Sequence, residues 1–239
     1  MLEVENLTVS YRGVLALESV SFQVQPGQLV GIIGPNGAGK SSLIKGMLGL
    51  TPISEGTVKF DSQPLQRQLR KVAYVPQRSQ IDWNYPITVW NVVLLARSRA
   101  TSFLMGYSRQ SKELAKNALQ RVNLWDLRHR PIGELSGGQQ QRVFLARSLA
   151  QQAELFLFDE PFNGVDQTTK DIIFDIFSEL KAENKTLLVV SHNIQETLKH
   201  YDRLLLINKK LLASGHPKII LKSSNIQKAY GCDLSLSIA

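Results

Sequence analysis

An α/β fold is the architecture that this 239-residue sequence predicts, and three observations predict it. Short continuous apolar runs, Leu29–Ile33, Leu155–Phe158 and Thr186–Val190, read as strands buried on both faces. Stretches with apolar residues at helical spacing follow them, so strand and helix alternate. Between Gln77 and about Arg147 the alternation stops and the texture turns helical. The last feature predicts a helical subdomain, roughly residues 78–150, inserted in a core that makes one domain over 1–239, with a tail from about 216 onward. Composition agrees: 43% hydrophobic and 20% charged residues are ordinary for a globular chain able to bury a sizeable core.

The stretch that organises the rest is Gly34-Pro35-Asn36-Gly37-Ala38-Gly39-Lys40-Ser41. It fits G-x-x-x-x-G-K-[ST], the phosphate-cradling P-loop. The strand Leu29–Ile33 precedes it and the helical run from Ser42 to Leu48 follows, which is the context the motif requires. Glycines let the backbone curl so that successive N–H groups point at an anion. The helix start adds unpaired N–H groups and a partial positive charge. Lys40 then reaches the β- and γ-phosphates, and the Ser41 hydroxyl ligates Mg²⁺.

In chain order, residues 2–9 and 19–24 alternate apolar and polar positions and read as half-exposed strands flanking Arg12-Gly13. Tyr11, placed in the loop between them, is either an aromatic that stacks on a purine base or an ordinary core or edge ring. Glu55-Gly56 reads as a turn, Thr57–Phe60 and Val72–Val75 as strands. Gln77 stands just past a strand end, where open α/β sheets line their ligand crevices; by itself it reads as a loop residue. Residues 88–97 read as a helix capped by Thr88, 98–110 as loop and 111–123 as helix, with Leu114, Ala118, Leu119 and Val122 on one side.

Leu135-Ser136-Gly137-Gly138-Gln139 precedes a helical run from Gln140 to Gln151. Ser136 is the expected N-cap, and the paired glycines leave backbone N–H groups open at a second helix start. The reading stays open between an anion site and a plainly capped helix. Leu155–Phe158 runs into Asp159-Glu160-Pro161, the Mg²⁺-site pattern of P-loop enzymes. Asp159 holds the metal, and Glu160 orients or deprotonates an attacking water. Asn163–Asp166 is a turn feeding a helix whose Ile172, Ile173, Ile176, Phe177 and Leu180 form one stripe. His192 follows the strand Thr186–Val190 and shares an edge with Gln77 and Asp159. Residues 203–207 and 210–213 form a hairpin around Asn208-Lys209, and the tail beyond Gly215 carries no assignable chemistry.

Several classes are excluded. One cysteine, Cys232, forbids an internal disulfide and a Cys/His metal framework. The start lacks a signal peptide's basic and apolar regions, and no run of 18 uncharged apolar residues crosses a membrane, so a cytosolic chain is expected. A formal charge of +8 is compatible with nucleic acid, an anionic membrane face or plain solubility. Lysines 209, 210, 218, 222 and 228 lie late in the chain, and no named nucleic-acid motif exists.

Taken together and in order, these parts resemble the ATP-binding cassette family over about residues 2–230. The P-loop with Ser42, Gln77, the signature Leu135–Gln139, Asp159, Glu160, the Asn163–Asp166 loop and His192 carry the resemblance, and Tyr11 sits where the family places its base-stacking aromatic. It implies a P-loop NTPase core with a mixed sheet, an antiparallel β subdomain and the inserted α-helical subdomain. It also implies an ATPase using ATP and Mg²⁺, with Ser41, Gln77 and Asp159 at the metal, Glu160 as base and His192 as γ-phosphate clamp. Two copies would meet head to tail, each ATP held between Gly34–Ser42 of one and Leu135–Gln139 of the other, with Asp166 in the dimer loop. The loop departs from the family's commonest spelling, Ser-Ala-Leu-Asp, but keeps Asp166.

The segment Val75–Val89, with Asp82-Trp83 and then Pro86-Ile87-Thr88-Val89, resembles cassettes of manganese, zinc or iron importers. That implies separate multi-span permease subunits, an extracytoplasmic metal-binding protein, no nucleic-acid partner, and a peripheral place on the cytoplasmic face of the plasma (inner) membrane. A cassette for another cargo and a soluble nucleic-acid-associated member are the alternatives. Repair-type members need a long coiled coil and translation-type members two cassettes; this chain has neither. A P-loop kinase or GTPase would lack Leu135–Gln139.

Overall fold

A six-stranded mixed sheet lies at the centre of the protein, in the order β10-β9-β3-β8-β7-β6. The computed structural model describes residues 1–100, 106–191 and 200–231. The parallel strands are β3 (Leu29–Ile33), β6 (Val72–Val75), β7 (Leu155–Asp159), β8 (Thr186–Val190) and β9 (Arg203–Asn208); β10 (Lys210–Gly215) closes one edge antiparallel to β9. Alternate residues of β7 go to opposite faces. Leu155 and Leu157 join one apolar cluster, Phe156 and Phe158 the other. Both faces are therefore covered, which is why these strands read as unbroken apolar runs.

One face packs on helix α1 (Lys40–Met47) and a second sheet, β2-β1-β4-β5. Its members β1 (Leu2–Tyr11), β2 (Val14–Val24), β4 (Glu55–Phe60) and β5 (Gln63–Pro64) pair antiparallel. The hairpin is longer than the sequence suggested. Tyr11 is the last residue of β1, paired with Val14, rather than a loop residue. Val14 and Leu15 are exposed, so the alternation that marks a half-buried strand is missing at that end. Glu55-Gly56 likewise begins β4 and is not a turn.

The other face packs on α2 (Val89–Leu94), α3 (Arg109–Arg121), α4 (Gly137–Ala150) and α5 (Gln167–Ala182). Thr88 caps α2, its hydroxyl accepting from the Asn91 N–H, and the chain tightens to a 3₁₀ turn from Leu95. Helix α3 starts two residues before the expected place because Ser108 caps it, and it stops at Arg121, ahead of Asn123 in a left-handed conformation. Helices α2, α3 and α4 lie between β6 and its parallel neighbour β7 in the chain. The tail forms two short helices, Pro217–Ile220 and Ser223–Tyr230, whose Ile220, Ile226 and Ala229 are buried.

Candidate functional site

Strand β3 delivers the chain to the P-loop through Gly34. A Cβ there would sit 1.9 Å from the Ile207 carbonyl oxygen of β9, so only glycine fits. Gly39 caps α1 in a left-handed conformation with no side chain bonded to the helix start. The first-turn N–H groups thus keep the partial positive charge of a helix N-terminus facing the loop. Lys40 is buried at 5% exposure, and its Nζ donates to the Gly34 and Pro35 carbonyl oxygens at 2.8 and 2.9 Å. Burial lowers its pKa, against the pull of the Glu160 and Asp159 charges. The hairpin turn holds the loop from outside, the Lys209 N–H donating to the Ala38 carbonyl at 2.9 Å.

The end of β7 carries the carboxylates Asp159 and Glu160, and the end of its neighbour β6 brings Gln77 to the same edge. Asp159 is fully buried. Its Oδ1 accepts from the Ser41 hydroxyl at 3.1 Å, while its Oδ2 has no hydrogen-bond partner. Burial raises its pKa, and Glu160 adds to the rise; the Ser41 bond, Lys45 and Lys40 oppose it. Tyr74 on β6 is pushed up to about 12 by burial and by the Asp159 charge. A buried carboxylate with one orphaned oxygen, beside a hydroxyl, is a donor set that suits a hard divalent cation such as Mg²⁺.

Glu160 takes a left-handed backbone conformation, φ 55°, its N–H donating to the Val190 carbonyl at 3.2 Å. The turn aims its side chain at Gln77, whose Nε2 donates to Glu160 Oε2 at 2.7 Å. Asn163 Nδ2 reaches the same oxygen at 3.4 Å. Tyr11 stands over α1, its hydroxyl 3.3 Å from the Thr51 hydroxyl, with the ring partly exposed.

Leu135–Gln139 is held elsewhere. Ser136 caps α4 in a complete capping box, its hydroxyl accepting from the Gln139 N–H while Gln139 Oε1 accepts from the Ser136 N–H. A Cβ on Gly138 would lie 2.6 Å from the Thr169 hydroxyl and 3.3 Å from Asp166 Oδ1; one on Gly137 would lie 3.0 Å from Arg78 Nη1. Asp166 caps α5, accepting from the Thr169 N–H at 3.1 Å, and the hydrogen bonds from Thr169 hold its carboxyl below the usual range.

The candidate residues therefore form two groups. Gly34–Ser42, Gln77, Asp159, Glu160 and Tyr11 cluster along the strand ends and α1, and Leu135–Gln139 sits with Asp166. His192 lies outside the described residues. Sequence reasoning missed Arg78, whose guanidinium binds Gln140 from 62 positions away and left no periodic signal.

A family model described as ABC transporter matches residues 17–163. The chain belongs to the ABC transporter family. It is 44% identical over 230 residues to the manganese transport system ATP-binding protein MntB of Listeria monocytogenes serovar 1/2a, covering 96% of each chain. To the zinc transport system ATP-binding protein TroB of Treponema pallidum it is 42% identical over 236 residues, covering 99% of this chain and 89% of the relative. The solved ADP conformation of MJ1267, an ATP-binding cassette of an ABC transporter, superposes with a TM-score of 0.82 at 27% identity, covering 96% of this chain and 98% of that one. The mixed sheet, antiparallel sheet and helices are those of this family's P-loop NTPase fold, and like its members the cassette is an ATPase. Among the described residues no helix is long and apolar enough to cross a membrane.

Proposed function

We propose that this cassette is the ATP-hydrolysing subunit of an importer for a divalent metal cation, manganese before zinc or iron. The cargo reading is supported by the names of the manganese and zinc relatives, which align over nearly the whole chain. The observation that carries the chemistry is the pair of contacts Ser41–Asp159 and Gln77–Glu160 beside the P-loop.

The loop N–H groups and Lys40 hold the triphosphate, and Tyr11 stacks on the base. Ser41, Asp159 and Gln77 would hold Mg²⁺, which when bound neutralises charge on the phosphates. Glu160 takes the proton of the attacking water, with Gln77 fixing its carboxylate. His192 clamps the γ-phosphate. Ser136, Gly137 and Gly138 touch the ATP bound to a second copy, with Asp166 at the same junction, so the nucleotide joins the pair and hydrolysis releases it. One cassette domain spans the chain, with the helical subdomain as its insert.

Partners are a second copy, multi-span permease subunits and, through them, an extracytoplasmic metal-binding protein. Nucleic acid is not a partner. The cassette works as a peripheral subunit on the cytoplasmic face of the plasma membrane. A groove of about 650 Å³ beside β6 and α4 supports permease docking. Leu50, Leu95 and Phe144 offer it an apolar lining, and Arg70, Arg97 and Arg147 a positive one that fits a permease segment bearing a carboxylate.

The test is uptake of labelled Mn²⁺ or Zn²⁺ into vesicles holding the cassette with its membrane subunit. ATP-dependent entry, lost with Glu160→Gln, is the expected result. ATP hydrolysis that moves neither metal, nor iron, would overturn the cargo reading.

A further inference from the structure

Arg78, the residue after Gln77, places its guanidinium at a helix start, with the Trp83 ring centroid 5.7 Å from its central carbon. Its Nε and Nη2 donate to Gln140 Oε1 at 3.1 and 2.8 Å, and its Nη1 lies against Gly137, the first residue of α4. A cation at a helix N-terminus opposes the helix dipole. Among the described residues Arg78 has no carboxylate within ion-pair distance to offset that.

The contacts around it are built. Gln140 is 4% exposed, and its Nε2 donates to the Ile132 carbonyl at 3.2 Å, in the turn that leads into Leu135 and Ser136. The Arg78 carbonyl accepts from Trp83 Nε1 at 3.1 Å, and the Trp83 ring meets Phe144, one turn beyond Gln140, edge-on at 5.5 Å. A Cβ on Gly133 would strike the Trp83 carbonyl at 2.8 Å. The segment after Gln77 is thus wedged against both sides of the Leu135–Gln139 tip.

We infer that Arg78 is a positioning residue: through Gln140 it sets the Ser136–Gly138 tip in step with the Gln77–Glu160 contact of its own copy. The two contacts share a single peptide unit, Gln77 to Arg78. A shift of Gln77 at one ATP therefore moves the guanidinium, Gln140 and the tip that closes on the other ATP. The cation at the helix start also gains when the triphosphate of the second copy arrives there. This inference rests on the shared-site reading proposed above.

The experiment uses the full chain carrying Glu160→Gln, which slows hydrolysis, and follows ATP-driven dimerisation by light scattering. Binding of a fluorescent ATP analogue to dilute monomer is measured in parallel. Arg78→Ala should raise the ATP concentration for half-dimerisation about tenfold, as expected for losing hydrogen bonds from a charged donor. Monomer binding should change less than about twofold. Arg78→Lys, which keeps the charge but not the planar fork of donors, should recover part of the loss and covers the case of an alanine variant that folds poorly. Adding Gln140→Ala to Arg78→Ala should cost little more than either change alone. Dimerisation of Arg78→Ala at the parent ATP concentration, or equal losses in monomer binding and dimerisation, overturns the inference. A Glu160→Gln parent that stays monomeric in ATP instead brings down the shared-site reading, and the inference falls with it.

Discussion

Gln77 Nε2 and Glu160 Oε2 are hydrogen-bonded at 2.7 Å, although one residue follows the end of β6 and the other the end of β7. The amide fixes the carboxylate at the strand edge where the P-loop also opens. Glu160→Gln replaces a proton acceptor by a group that cannot take a proton and keeps the shape. Phosphate release should fall by about 10²-fold or more, with ATP binding in the parent range. Hydrolysis within a few-fold of the parent would remove Glu160 from the chemistry.

Gly34 and Gly37 separate space from backbone strain. Both have positive φ, 155° and 77°, but a Cβ meets the Ile207 carbonyl at 1.9 Å in the first case and nothing within 4 Å in the second. Gly37→Ala should cost about 1–2 kcal/mol, the usual cost of a side chain in the left-handed region. Gly34→Ala must also push β9 from β3, at a cost of roughly 3 kcal/mol or more. Thermal melting should rank the variants in that order, each kcal/mol being about 2–4 °C in a chain of this size. Equal melting temperatures would contradict the packing of β3 on β9.

Asp159 gives a prediction whose sign follows from its raised pKa. As pH rises from the ordinary carboxylate value toward the raised one, the unfolded chain has lost a proton that the folded carboxyl still holds. Stability from this group therefore falls across that window and stays low at neutral pH. Asp159→Asn removes the buried charge, so in EDTA at neutral pH the variant should melt no lower than the parent. Its advantage should vanish below the ordinary carboxylate pKa. With ATP and Mg²⁺ present the order should reverse, and Mg²⁺-dependent hydrolysis should be lost. A variant less stable in EDTA would mean that the ionised carboxylate is stabilised by its own surroundings.

What could be read from the sequence depended on whether the signal was local. Leu155–Phe158 read cleanly because a strand covered on both faces is apolar without interruption. Thr88 and Ser136 were legible as caps because capping is a contact three residues long. The exposed end of the β1–β2 hairpin carries no alternation, so the sequence there shows no strand signal. Glu160's left-handed turn and the Arg78–Gln140 bond had no local signature. The first is imposed by β8, through the Val190 carbonyl, and the second joins segments distant in sequence.

A site completed by a second copy also predicts how activity depends on concentration. Per-chain hydrolysis should rise with protein concentration and then level off. A rate strictly proportional to protein down to the lowest dilution would favour a self-sufficient monomer.

The most direct test is the mass of the Glu160→Gln chain in ATP, with and without Ser136→Arg. The parent should double its 26.8 kDa mass and retain two ATP per pair. The Ser136→Arg chain should stay monomeric while still binding ATP at its own P-loop. A Ser136→Arg chain that dimerises at the same ATP concentration would contradict the claim that Gly34–Ser41 of one copy and Ser136–Gly138 of the other grip one nucleotide.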